Sequence, residues 1–235
     1  IAFTGSMEVG QRISERAAKV NTGQIWIKRT ILEMGGKDFI MVDETADLAD
    51  AAEGIVQAAF GFQGQKCSAC SRVIAQESVH DELVRLVVEK TKSLRVGSPD
   101  NPDNFMGAVI DEAAFRKIMS YIEIGRLEGK LELGGNSISG SGWFIEPMIF
   151  TGISPEDRLA QEEVFGPVLA IIKFSSFEEG IRIANGTIFG LTGALFSKDR
   201  RRLEIGRKKL HTGNLYLNRK CTGALVGVQP FGGFN

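Results

Sequence analysis

Cysteine is scarce, at three residues in a chain of 235. Three thiols cannot build a disulfide framework, so a reducing compartment fits and a cytoplasmic location is expected. An excess of charge of either sign is also lacking. The 28 Lys+Arg nearly cancel the 29 Asp+Glu, leaving a net charge of -1. That balance offers no global field for nucleic acid or an anionic membrane, and neither is expected as a partner. No apolar run approaches the roughly 18 residues of a membrane span, and no charged-then-apolar leader is read. Internal repeats and low-complexity tracts are missing too. With 43% hydrophobic and 24% charged residues, the composition excludes a disordered tail, a fibre or a coiled coil.

Glycine, by contrast, is abundant: 28 residues, well above the usual share of about 7%. Several backbone positions therefore need close approach or positive φ. Hydrophobic periodicity predicts helices over 7–20, 46–61, 80–94, 111–128, 176–185 and 198–209. Strands are predicted over 25–32, 38–42, 72–79, 130–134, 168–174 and 192–196. This β-then-α alternation predicts an α/β fold with a mostly parallel sheet. The basic stretch Lys198 to Lys209 lacks interleaved aromatics and reads as a solvated helix face. Ile1 opens inside a strand-like run with no initiator methionine, which points to a piece of a longer chain.

Four segments carry residues able to do chemistry. Cys67 lies in Phe60-Gly61-Phe62-Gln63-Gly64-Gln65-Lys66-Cys67-Ser68-Ala69-Cys70-Ser71-Arg72. The glycine-punctuated loop would deliver the thiol to the start of a short helical turn, whose unpaired N–H groups lower a thiol pKa. Equally, a cysteine can be a small buried hydrophobe. The Cys67-x-x-Cys70 spacing is half a metal site, but Cys221, His80 and His211 form no second ligand pair, so no metal is expected. Glu33, between apolar neighbours and the Gly35-Gly36 turn, reads either as a surface carboxylate or as a general base with a raised pKa. Gly5-Ser6, between a strand and a helix, could present N–H groups to a phosphate, although G-x-G-x-x-G is not satisfied. Glu162 through Val168 could hold ribose hydroxyls or could be an ordinary connection.

Together and in this order, these segments resemble the aldehyde dehydrogenase superfamily. Leu32 through Lys37 is similar to its general-base signature, Phe60 through Arg72 to its cysteine signature, Glu163 through Pro167 to its nicotinamide-ribose motif, and Phe231-Gly232-Gly233 to its late signature. Asn218 through Asn235 resembles the 1-pyrroline-5-carboxylate dehydrogenase family within it. The resemblance implies NAD-dependent oxidation of glutamate γ-semialdehyde to glutamate in proline catabolism, through a thiohemiacetal and a thioester. By the same resemblance Cys67 is the nucleophile and Glu33 the base. Ser68, Gly223 and Ala224 would hold the substrate carboxylate, and Phe231 would pack on its aliphatic chain. Gly5 and Ser6 would approach the NAD pyrophosphate, Glu163 the nicotinamide ribose and Phe165 the nicotinamide.

Implied too are three regions. Residues 1–32 would be the trailing part of a Rossmann-like NAD-binding domain, 33–217 the catalytic domain, and 218–235 the substrate-anchor loop with the late signature. Family members are roughly twice as long. The upstream asparagine of their oxyanion hole and most of the adenosine pocket have no counterpart in these residues. The isolated chain is accordingly expected to be inactive, and the full-length form to be a homo-oligomer acting on a small aldehyde. Another aldehyde dehydrogenase or a CoA-acylating relative, and a non-catalytic truncated scaffold, are the alternatives.

Overall fold

A computed structural model describes residues 1–234; Asn235, the last position of the expected anchor segment, lies outside them. The chain opens with β1 (Ala2–Thr4), α1 (Met7–Ala18), β2 (Ile31–Glu33), β3 (Asp38–Val42) and α2 (Leu48–Phe60). A 3-10 turn at Gly61–Gly64 leads to β4 (Cys70–Gln76), α3 (Glu77–Lys92), α4 (Glu112–Glu128) and β5 (Lys130–Leu133). A small antiparallel pair, β6 (Ser137–Ile138) and β7 (Phe144–Ile145), comes before β8 (Met148–Thr151), α5 (Arg158–Gln161) and β9 (Val168–Phe174). The chain continues through α6 (Phe177–Asn185), β10 (Thr192–Phe196), α7 (Arg200–Lys209) and β11 (Asn214–Leu217).

One seven-stranded sheet dominates, in the order β11-β10-β3-β4-β9-β8-β5. All its pairings are parallel except β5 with β8. The expected α/β class and mostly parallel sheet are therefore observed. A parallel sheet must be covered on both faces, and β3 shows how this sequence does it. Its side chains alternate with period two, and all five residues are buried. Phe39 and Met41 join a core with Ile118, Ile122 and Phe177 from α4 and α6. Ile40 and Val42 join a second core with Ala51, Ile55, Leu83 and Val87 from α2 and α3. Asp47 starts α2 by accepting from the N–H groups of Ala49 and Asp50.

Several boundaries differ from the pattern reading. The strand predicted over 25–32 shrinks to β2, because β1 offers a parallel partner only to residues 31–33. Ile25, Trp26 and Ile27 are exposed instead. β4 begins at Cys70 rather than 72, and α3 at Glu77 rather than 80, so the cysteine segment runs straight into the sheet. β8 and β11 are too short to carry a legible alternation and were not predicted. β1 and β2 form a separate two-stranded sheet, and the expected regional boundary after residue 32 falls within β2. The basic α7 is mostly exposed, with Arg202 paired to Glu44 and Asp43. Among the described residues, no helix is long and apolar enough to cross a membrane.

Candidate active site

Three of the chemistry-bearing segments end where three strands begin. Gly35-Gly36-Lys37 leads into β3, Cys67-Ser68-Ala69 into β4, and Glu163 through Pro167 into β9. These strands are parallel neighbours in the order β3-β4-β9, so their N-terminal ends share one edge of the sheet. The segments interlock there. Gly36 N–H donates to Glu163 Oε1 at 2.9 Å. A side chain at Gly36 would overlap the Cys67 carbonyl oxygen and the Asp38 carboxylate, and one at Gly35 would overlap Glu163. Gly64, at φ +66°, lies so near the Gly166 carbonyl that a Cβ would collide with it.

A cavity of about 590 Å³ opens at this edge, lined by Gly5, Ser6, Cys67, Ser68, Glu163 and Phe165 together with Met34, Gly35, Gln65, Lys66 and Lys117. It thus brings together the cysteine and all four residues expected at a cofactor. Glu33 lines an adjoining cavity of about 310 Å³ with Leu32, Gly190 and Gly233, and the two cavities share Met34 and Gly35 in their walls. Glu33 Oε1 lies 3.4 Å from the position a Cβ on Gly232 would take, which sets the carboxylate against the late signature. Gly223, Ala224 and Phe231 lie outside both linings. Gly223 has φ +100°, Ala224 is half-buried and Phe231 exposed. Their loop nevertheless reaches the cysteine segment, because the Cys221 thiol donates to the Ser68 carbonyl at 3.7 Å.

The helical turn expected after Cys67 is a single tight turn closed by Ala69 N–H on the Lys66 carbonyl at 3.0 Å, and a strand follows it. The expected lowering of the thiol pKa is accordingly absent. Burial pushes the Cys67 thiol up, and the carboxylates of Asp38, Glu163 and Glu33 push it further; the Ser68 N–H opposes them. Cys70 is buried, with its thiol on the Arg72 carbonyl. Glu163 is raised by desolvation, against its hydrogen bond from Gly36 and the nearby Lys117 and Lys37 ammonium groups. No hydrogen bond to the Glu33 carboxylate is found among the described residues, whereas Glu163 and Asp38 each accept a backbone N–H.

The N-terminus of α1 behaves differently from its motif reading at one position. Gly5 N–H is already engaged by the Glu33 carbonyl at 3.0 Å, which ties the two segments together. Ser6 caps the helix, its hydroxyl accepting from Val9 N–H at 3.4 Å. Phe165 holds φ +59°, a left-handed conformation that a bulky side chain rarely adopts, at the rim of the large cavity.

Sequence reasoning passed over the layer beneath. Asp38 is buried, accepts Thr192 N–H at 2.5 Å, and is raised to about 7 by desolvation. Lys37 beside it is lowered to about 7, again by desolvation, with Arg72 adding repulsion. Arg72 donates to the carbonyls of Lys37, Ile183 and Ala184, each at 3.0 Å, and so clamps the β3 entry to the end of α6. Lys117 donates to the Glu163 carbonyl at 2.9 Å. The one sequence signal for this layer was charge placed inside apolar strands; for Lys117, an exposed helical lysine, there was none.

Comparison with known proteins follows the same outline. The aldehyde dehydrogenase family profile matches residues 1–235. A 1-pyrroline-5-carboxylate dehydrogenase from Anoxybacillus flavithermus is 58% identical over 235 residues, all of this chain and 46% of that protein. The Bacillus subtilis protein of the same name is 56% identical over the same span. The crystal structure of 1-pyrroline-5-carboxylate dehydrogenase from Thermus with bound NAD superposes with a TM-score of 0.96 at 52% identity, covering 100% of this chain and 45% of that one. The chain thus spans about half the length of the curated relatives it matches. On the family match along its whole length, this chain belongs to the aldehyde dehydrogenase family.

Proposed function

We propose that the protein containing this chain oxidises glutamate γ-semialdehyde to glutamate with NAD, as the names of its relatives suggest. The observation that carries the reading is the meeting of Cys67, Glu163 and the Glu33–Gly36 turn at one sheet edge. The residues present fit NAD. The cavity wall at Gly5 and Ser6 is the N-terminal end of α1, whose positive dipole end suits a phosphate although the Gly5 N–H is engaged by the Glu33 carbonyl. Glu163 supplies a carboxylate for ribose hydroxyls, and Phe165 a ring for the nicotinamide side. A volume of about 590 Å³ is of the size that holds such ligands.

NAD, when bound, supplies the electron-pair acceptor of the oxidation. The chain's own residues do the rest. Cys67 adds to the aldehyde carbon as the thiolate, forming a thiohemiacetal whose oxyanion needs fixed donors such as backbone N–H groups. Because the thiol is raised, it must lose its proton as substrate binds. That proton passes to solvent water in the open cavity. After oxidation the acyl group is a thioester on Cys67, and Glu33 deprotonates the water that hydrolyses it. Ser68, Gly223 and Ala224 hold the α-carboxylate through a hydroxyl and N–H groups, and Phe231 covers the aliphatic chain. Cys221 on the Ser68 carbonyl keeps the two halves of that pocket in register.

The test is NADH formation by the full-length protein on glutamate γ-semialdehyde and on butyraldehyde. Preference for the carboxylate-bearing aldehyde is expected, with Ser68→Ala or Gly223→Val losing more on it than on butyraldehyde. No NADH from glutamate γ-semialdehyde overturns the proposal, and equal losses remove the anchor roles.

A further inference from the structure

Two oxygens close on Gly36 with no donor between them. A Cβ on Gly36 would overlap the Cys67 carbonyl oxygen and Asp38 Oδ2 alike, so both atoms crowd one point beside the backbone of the cysteine. Asp38 is 1% exposed. Its Oδ1 accepts Thr192 N–H, whereas Oδ2 is buried with no hydrogen-bond partner among the described residues. Outside the β-ladders, no hydrogen bond to the Cys67 carbonyl is found among those residues either. An ionised carboxylate taken out of water needs several donors or a paired cation. Arg72 does not serve as that cation. It spends three of its N–H groups on the carbonyls of Lys37, Ile183 and Ala184, and among the described residues no ion pair joins it to Asp38. Two facing acceptors repel, but a proton on one of them makes a donor and an acceptor. Burial favours that proton, and so do the charges of Glu163, Cys67 and Cys221; Arg72, Lys37 and the Thr192 N–H oppose it. Burial prevails and carries the Asp38 pKa up to about 7.

We infer that Asp38 is a positioning residue for the nucleophile: as the neutral acid it donates from Oδ2 to the Cys67 carbonyl and pins the backbone of the reactive cysteine to the first residue of β3. The inference rests on the reading of Cys67 as the nucleophile of aldehyde oxidation and adds a contact that fixes where the thiol stands. Ionisation turns the donor into a second acceptor. The pin therefore holds below about pH 7 and is released above it.

The experiment uses the full-length protein with isotope-labelled cysteine carbonyls, read by infrared spectroscopy, the Cys67 band being assigned by its loss in Cys67→Ser. A hydrogen bond lowers a carbonyl stretch. The Cys67 band is expected to rise in frequency as pH climbs through about 7. In Asp38→Asn, whose side-chain N–H still donates, it should stay low throughout. Asp38→Ala has neither donor nor charge, so its band should stand high at every pH; a low band there is a response to charge alone and overturns the inference. A band indifferent to pH in the unaltered protein overturns it too, placing the proton elsewhere, as on the Thr192 hydroxyl, which is also unpartnered. That arm stands even if the alanine variant folds poorly. In parallel, kcat/KM for NADH formation should fall about tenfold in Asp38→Ala, the scale of one hydrogen bond, and be restored in Asp38→Asn; equal losses in both overturn the positioning role. If no aldehyde is oxidised, the proposed function fails, while the Cys67 band still decides the role of Asp38.

Discussion

Gly36 N–H and Glu163 Oε1 meet at 2.9 Å across 127 positions of sequence. That bond joins the turn after Glu33 to the segment before β9, and the Cys67 carbonyl presses on Gly36 from the other side. The thiol, the two carboxylates and the glycine turn consequently behave as one unit, so substitutions within it should separate by what each atom does.

Cys67 and Cys70 offer the simplest contrast. Cys67 faces the large cavity, while Cys70 is buried at the start of β4 with its thiol on the Arg72 carbonyl. Cys67→Ala should reduce NAD-dependent oxidation by the full-length protein to background, and Cys70→Ala should leave most of it. A NADH-forming assay checks both, and comparable losses in the two would displace Cys67 from the nucleophile role.

Glu33→Gln removes the carboxylate of the proposed base and keeps its shape. Thioester formation should survive and its hydrolysis stall, giving one burst of NADH per site followed by turnover slowed at least ~100-fold, the usual worth of a general base. Stopped-flow absorbance resolves the burst. Unimpaired steady turnover would take the base role away from Glu33.

Gly36→Ala tests the interlock. Its methyl would overlap the Cys67 carbonyl oxygen, and one neighbour in that overlap is backbone that can yield only by shifting Cys67. A displacement near 1 Å costs about 100-fold in rate. The expected outcome is such a loss in kcat/KM with a much smaller change in Tm; full activity would show that the contact is slack.

Asp38→Asn addresses the buried charge layer through pH. Desolvation raises the folded Asp38 pKa to about 7 from an ordinary 3.8. A raised carboxyl favours folding at low pH, and this contribution is lost as pH climbs toward 7. Asparagine keeps the acceptor for Thr192 N–H and never ionises. The stability advantage of the variant over the parent should therefore widen by about 2–3 kcal/mol between roughly pH 5 and pH 7. Lys37, lowered to about 7, acts on the limb above that range and leaves this window to Asp38. Denaturant melts across the window measure the difference; a constant offset would mean that Asp38 does not titrate there.

Much of this molecule could be read from local order along the chain. The apolar runs 38–42, 168–174 and 192–196 became β3, β9 and β10, because a strand buried on both faces leaves an uninterrupted hydrophobic record. The helices predicted over 46–61, 111–128, 176–185 and 198–209 begin within two residues of where the structure starts them, at the caps Asp47, Asp111, Ser176 and Asp199, and a cap is a contact between close neighbours. The reactive residue types stood out within their glycine-marked segments for the same reason. Other properties depended on which strand lies beside which. The order β3-β4-β9 gathers three distant segments at one edge, and no local pattern encodes that order. Burial then reversed the expected direction of the Cys67 pKa and placed Asp38 and Lys37 under the site. Desolvation and charge proximity are sums over neighbours from every part of the chain, so they come into being only when the sheet closes around them.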